Sequence, residues 1–204
     1  MIIIGVTGAT GAGKSTFSGF LKESLNSAKV VPLDHIFDHL KNTLFSSNTS
    51  SFIRDNGEEI CYLKKESSFS KLINLKGFKE VYQIIRRYYG SYVVNKEIRQ
   101  AEKENVKYLI FESINLYRFI DLEKVDYKIL ITSSNAIRRS RVMKRDSNLG
   151  QLLEDNFDSN DCFEVLQDCH DYIIENIGAI ETLGINANNV ANAIKENFSL
   201  IRKK

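Results

Sequence analysis

Eight consecutive residues, Gly8-Ala9-Thr10-Gly11-Ala12-Gly13-Lys14-Ser15, satisfy the pattern G-x-x-x-x-G-K-[ST]. Glycines at 8, 11 and 13 leave no side chain between an anion and the backbone N–H groups. A helix opening near Gly13 and running on through Thr16 aims its partial positive end at the same point. Lys14 is placed to reach the β- and γ-phosphates of a nucleotide, and the Ser15 hydroxyl can take a position on Mg²⁺. The apolar run Met1 to Val6 feeds directly into this loop. A strand, a glycine-rich turn and a helix in that order form the context in which the motif binds phosphate.

Phosphoryl transfer asks a protein to hold phosphates, metal and attacking oxygen in line and to neutralise the spreading negative charge. Further groups of suitable type occur downstream. Arg138, Arg141 and Arg145 recur at helical steps of three and four and so share a face, from which Arg141 and Arg145 could lean over a triphosphate. Asp34 closes an expected strand, where its carboxylate could orient or deprotonate an acceptor hydroxyl, or could cap the helix beginning at His35. Glu112 closes another, as a metal-sensing carboxylate or as one half of a buried ion pair. His35 and His39 have the i, i+4 spacing of metal ligands, but with no further ligand cluster a solvated helix face is the better reading.

These groups need elements to bring them together. Strands are expected at the amino terminus, at Lys29 to Asp34 (with Pro32 marking an edge or a strand end), at Val106 to Glu112, at Val125 to Thr132 and at Asp171 to Glu175. The continuous apolar run Tyr108 to Phe111 is that of a strand buried on both faces. Helical spacing covers Thr16 to Leu25, Phe78 to Tyr89 and Val190 to Ile201. Alternating strands and helices predict an α/β protein with a doubly wound, parallel five-stranded sheet and its ligand at the carboxyl ends of the strands. Residues 46–105 read as a helical region that covers an acceptor or simply wraps the core, with a loop at Ser46 to Ser51 and no strand from Phe52 to Asn105. The polar, acidic stretch Ser147 to His170 reads as a lid.

Composition narrows the classes. With 204 residues, 43% of them hydrophobic, the chain can bury one substantial core, so residues 1–204 are expected to form a single domain. A formal charge of +2 advertises neither nucleic acid nor an anionic membrane as partner. Neither a signal peptide nor a transmembrane run is expected, which points to the cytoplasm. Cys61, Cys162 and Cys169 are an odd set without zinc spacing and read as reduced thiols. Nothing in the chain speaks to its oligomeric state.

The glycine loop, Asp34 after the second strand, Phe111-Glu112 at the third, Arg141-x-x-x-Arg145-Asp146 after the fourth, and His170-Asp171-Tyr172-Ile173-Ile174-Glu175-Asn176-Ile177-Gly178 together resemble dephospho-CoA kinase. The resemblance covers roughly the first 35 residues and the stretch from 106 to 185. It implies the P-loop kinase fold, ATP with Mg²⁺, and transfer of the γ-phosphate to the ribose 3′-hydroxyl of dephospho-CoA. It also implies Asp34 as base or acceptor orienter, lid arginines on the phosphates, and the loop from Asn176 to Gly178 near adenine. The chain departs from that family's Asp-Ala-Asp with Asp34-His35-Ile36 and from its Pro-Leu-Leu-Phe-Glu with Phe111-Glu112-Ser113. The segment Tyr82 to Val94 looks rather like nucleoside or deoxynucleoside monophosphate kinases.

The leading expectation is therefore an ATP-dependent small-molecule kinase. Its predicted parts are Gly8 to Thr16 for nucleotide, Lys14, Arg141 and Arg145 for the phosphates, Ser15 and Glu112 for Mg²⁺, Asp34 for the acceptor, and Asn176 and Gly178 for the base. The other expectations are a nucleotide-binding switch and a kinase relative that has lost its acceptor chemistry.

Overall fold

A computed structural model describes residues 1–34, 53–55, 58–60, 78–145 and 169–201. Five strands form one parallel sheet: β1 (Ile2–Thr7), β2 (Ala28–Pro32), β5 (Tyr108–Glu112), β6 (Tyr127–Thr132) and β7 (Tyr172–Glu175). Their spatial order is β2-β5-β1-β6-β7, so β1 lies in the middle with β5 and β6 paired on either side. Pro32, which has no N–H to donate, sits at the last position of the edge strand β2.

Alternation along the strands explains the layers. Ile2, Ile4 and Val6 of β1 pack with Tyr108 and Ile110 of β5 beneath α1 (Lys14–Ser24) and α4 (Ile180–Ile201), against Phe17, Leu21, Leu183, Ala187 and Ile194. Leu109 and Phe111 face the other way, onto α2 (Phe78–Lys103) through Val93, Val94 and Ala101 and onto the connection carrying Leu116, Phe119 and Ile120. Phe111, Leu109 and Ile110 are fully buried, as a central strand covered on both faces requires. Gly90 lets α2 approach that connection: a Cβ there would lie 2.5 Å from the Phe119 ring.

At the amino-terminal edge of the sheet two aspartates do matching work. Asp126 Oδ2 accepts from the Ile3 N–H at 2.7 Å and Asp171 Oδ2 from the Lys128 N–H at 2.7 Å, each aspartate standing just before its strand and bonding to the neighbouring one. Carboxylate-assisted bonds of this kind set the stagger of β1, β6 and β7.

The elements differ from expectation in four places. The second strand ends at Pro32, and Leu33 and Asp34 are already helical, because the pre-set proline backbone leads straight into the turn. Residues between Phe52 and Asn105 do contain strand: β3 (Ile53–Asp55) and β4 (Glu58–Ile60) form a short antiparallel ladder that three-residue runs could not announce by periodicity. α2 runs on to Lys103, and the last helix begins at Ile180 rather than Val190. The expected loop at Ser46 to Ser51, the pair His35 and His39, Cys61 and Cys162, and all of the expected lid from Ser147 to His170 but its last two residues lie outside the described residues. Among the described residues no helix is long and apolar enough to cross a membrane.

Candidate active site

The glycine loop leaves the carboxyl end of the central strand and enters α1 at Lys14. Gly8 and Gly13 are required by geometry as well as by sequence pattern. Gly8 has φ +147°, and a Cβ on it would lie 2.2 Å from the Ile131 carbonyl oxygen. Gly13, the residue before the helix, has φ +105°, and its Cβ would lie 2.3 Å from Asn176 Nδ2. No L side chain fits either position. The helix that follows has no intrahelical partners for its first N–H groups, so they are available to an anion.

Lys14 is buried and donates to the Ala9 carbonyl at 3.3 Å, bending back over its own loop. Burial pushes its pKa below the ordinary 10.5; the Asp34 and Glu112 carboxylates push the other way, and Arg145 and Arg138 add to the depression. A phosphate at the loop would favour the ammonium form and raise the pKa again. Nucleotide binding therefore takes up a proton in the window above the lowered pKa. Affinity is full below that window and declines as pH rises through it. We expect ADP affinity, followed by calorimetry across pH, to begin falling below 10.5 with proton uptake on binding; a flat profile up to the range of a solvated lysine would contradict the burial argument.

Ser15 Oγ donates to Glu112 Oε1 at 2.6 Å, joining the first turn of α1 to the carboxyl end of β5. Glu112 is buried, and its Oε1 accepts from this serine. A hydroxyl and a carboxylate at a phosphate loop are hard oxygen donors of the kind Mg²⁺ takes, so the donor set fits that ion. Among the described residues no group of three or more His, Cys, Asp or Glu could hold a metal by itself.

Asp34 stands beyond the end of β2, its Oδ1 accepting from the Ser113 hydroxyl at 2.7 Å. Ser113 Oγ in turn accepts from the Asn115 N–H at 3.1 Å. Ser113 is fully buried, so the serine holds one carboxylate oxygen and leaves the other for a second partner. In the sequence Ser113 stands only as a departure from a family pattern. The available signal was a hydroxyl residue directly after the most buried strand of the sheet.

The arginines are arranged differently from the expected shared clamp. α3 (Asn135–Arg145) rises from β6, and Arg138 is buried beneath the glycine loop, with Nη1 3.4 Å from the Thr10 carbonyl and Nη2 bonded to Asn135 Oδ1. Arg141 reaches the carbonyls of Gly11 and Ala12 at 3.4 and 3.5 Å, and Asn176 Oδ1 at 3.2 Å. Arg145, one turn on, is exposed and close enough to Lys14 for its charge to be felt there. Asn176, buried after β7, donates from Nδ2 to the Ala12 carbonyl at 2.7 Å, turning its side chain toward the loop. Gly178 lies two residues further, near Thr182.

The described geometry is a phosphate loop at the carboxyl end of a parallel sheet, flanked by two carboxylates and a basic helix. The sequence pattern of the AAA domain family matches residues 4–162, most of the chain. The chain belongs to the AAA domain family. Its fold is that of the P-loop kinases, an AAA-family sheet of five parallel strands with helices on both faces. Among solved structures, TT1252 from Thermus thermophilus is 18% identical with a TM-score of 0.62, covering 96% of this chain and 97% of its own. Dephospho-CoA kinase from Campylobacter jejuni is 16% identical with a TM-score of 0.62, covering 96% and 98%. Shikimate kinase from Acinetobacter baumannii in complex with shikimate is 15% identical with a TM-score of 0.52, covering 100% and 96%. No curated protein sequence matches this AAA-family chain.

Proposed function

We propose that the chain is an ATP-dependent kinase that transfers the γ-phosphate to a hydroxyl of a small molecule, with the 3′-hydroxyl of dephospho-CoA as the first choice. The observation that carries this reading is Asp34, whose carboxylate is held by the buried Ser113 hydroxyl and whose charge is felt at Lys14. A carboxylate there suits an acceptor that brings a proton. It disfavours one whose accepting oxygen belongs to a phosphate, since Asp34 and Glu112 already put two negative charges beside Lys14. That argues against a nucleoside monophosphate as acceptor.

In this reading Gly8 to Thr16 cradle the β-phosphate and Lys14 neutralises the β- and γ-oxygens. The acceptor oxygen attacks the γ-phosphorus in line, the bond from that phosphorus to the bridging oxygen breaks, ADP leaves, and the hydroxyl proton passes to Asp34. Ser15 and Glu112 would hold Mg²⁺, which supplies neutralisation of the β- and γ-oxygens when bound. Arg145, whose charge acts on Lys14, would add to the neutralisation of the phosphates. The loop from Asn176 to Gly178 would lie near the adenine base. The likeness to dephospho-CoA kinase and to a shikimate kinase supports a small-molecule acceptor, both being kinases of small molecules by name.

The test is ADP release with Mg²⁺ATP over a panel of dephospho-CoA, shikimate and the ribo- and deoxyribonucleoside monophosphates, beside an acceptor-free control. We expect dephospho-CoA to stimulate release at least tenfold over the control. Stimulation by a monophosphate instead would overturn the charge argument made from Asp34 and Glu112. Silence across the panel, with nucleotide bound, would favour a nucleotide-binding switch or a relative without acceptor chemistry.

A further inference from the structure

Five successive carbonyls of the glycine loop each accept a hydrogen bond from within the chain. Ala9 O accepts from the Ala12 N–H at 3.1 Å and from Lys14 Nζ; Gly13 O accepts from the Phe17 N–H at 3.0 Å. The three between them are met by side chains from other elements: Thr10 O by Arg138, Gly11 O by Arg141, and Ala12 O by Asn176 and Arg141. A peptide unit whose carbonyl is tied outward has its N–H turned inward, because the two groups point oppositely across one plane. Fixing the Thr10 and Ala12 carbonyls therefore fixes the direction of the Gly11 and Gly13 N–H groups, while the Ala12 N–H is held by the Ala9 carbonyl.

We propose that Asn176 and Arg141 are positioning residues that hold the glycine loop in its anion-binding form through its carbonyls, and that Arg141 acts on the phosphates by this route rather than by touching them. The inference rests on the nucleotide-binding part of the proposed function. Asn176 is the anchor. Its backbone N–H donates to the Thr132 carbonyl at 2.7 Å, and its own carbonyl accepts from the Ser133 hydroxyl at 2.8 Å, so the residue is tied to the end of β6 before its side chain does anything. The amide orientation is determined by its partners: Ala12 O can only accept and so takes Nδ2, while the guanidinium can only donate and so takes Oδ1. Gly13 completes the arrangement, since any side chain there would occupy the space of Asn176 Nδ2.

Two consequences follow from the chemistry. Phosphate-loop N–H groups are shared by every ligand that places a phosphate in the loop, so disturbing their direction weakens ADP, a non-hydrolysable ATP analogue and inorganic tripolyphosphate by similar factors. A direct contact to the γ-phosphate is absent from ADP, so its removal weakens only the triphosphates. Charge alone is also insufficient for Arg141: its two terminal nitrogens span Gly11 O, Ala12 O and Asn176 Oδ1, a fork that lysine does not reproduce.

The experiment is calorimetric binding of ADP, the ATP analogue and tripolyphosphate to the wild-type chain and to Asn176→Asp, Arg141→Lys and Arg141→Ala, with circular dichroism to compare folding. Asn176→Asp keeps the size and turns an acceptor toward Ala12 O. We expect each variant to lose about tenfold in affinity for all three ligands, with KM for ATP rising more than kcat falls and KM for the acceptor unchanged. Loss confined to the triphosphates in Arg141→Ala, restoration by Arg141→Lys, or wild-type ADP affinity in a folded Asn176→Asp would overturn the inference while leaving nucleotide binding intact. A wild-type chain that bound none of the three ligands would overturn the nucleotide-binding reading itself.

Discussion

Lys14→Ala is expected to lower the rate of phosphoryl transfer about a thousandfold, equivalent to about 4 kcal/mol of transition-state stabilisation. The size follows from where the ammonium sits. Lys14 is only 8% exposed, so its charge acts on the phosphates with little competition from water. Charge that builds on the γ-phosphoryl oxygens during transfer has Lys14 as its buried cation, with Arg145 further out on the exposed face of α3. The variant also removes the cation that Asp34 and Glu112 both act on, so Lys14→Met, which restores volume without charge, should be compared in thermal unfolding. Activity within tenfold of wild type in a folded Lys14→Ala protein would remove the lysine from the reaction.

Asp34→Asn separates acceptor chemistry from nucleotide binding. Asparagine keeps the shape, and its Oδ1 can still accept from Ser113, but it cannot take a proton. We expect kcat to fall by about 10² to 10³, the usual contribution of a positioned general base, with ADP affinity changed less than about twofold. The two numbers together are the diagnostic. A parallel loss of ADP affinity would mean that Asp34 serves the nucleotide side of the site, through its charge on Lys14. Near-normal kcat would mean that it orients the acceptor without receiving its proton.

These two residues illustrate what a linear reading can reach. Lys14 is legible because the loop motif is local: strand, turn and helix lie within the first 24 residues, and each peptide conformation needs only its own glycine. Asp34 and Glu112 are legible as positions, since a carboxylate at the end of an apolar run lands at the carboxyl edge of a parallel sheet. The bond that gives Asp34 its direction comes from Ser113, 79 residues away, and no spacing rule connects the two.

Arg141 and Asn176 mark the limit more sharply. Helical periodicity places Arg138, Arg141 and Arg145 on one face, and the structure keeps that face. What the periodicity lacks is depth: the first of the three is buried under the loop, the second reaches loop carbonyls, and the third lies in solvent. Depth depends on how α3 is set against β1 and β7, which meet it only once the sheet has formed. Asn176 was legible as part of a loop near the nucleotide, but the direction of its side chain depends on a glycine 163 positions earlier having no Cβ.

By itself the amino-acid sequence determined the phosphate loop, the parallel α/β class and the strands that carry the acidic residues, because apolar periodicity and glycine conformation are properties of short stretches. Only the tertiary structure decided which polar groups meet. It paired Ser15 with Glu112 and Ser113 with Asp34, and it turned Asn176 and Arg141 onto the loop carbonyls. Those pairings join residues from 79 to 164 positions apart, and the sheet order β2-β5-β1-β6-β7 is what brings their ends to one edge.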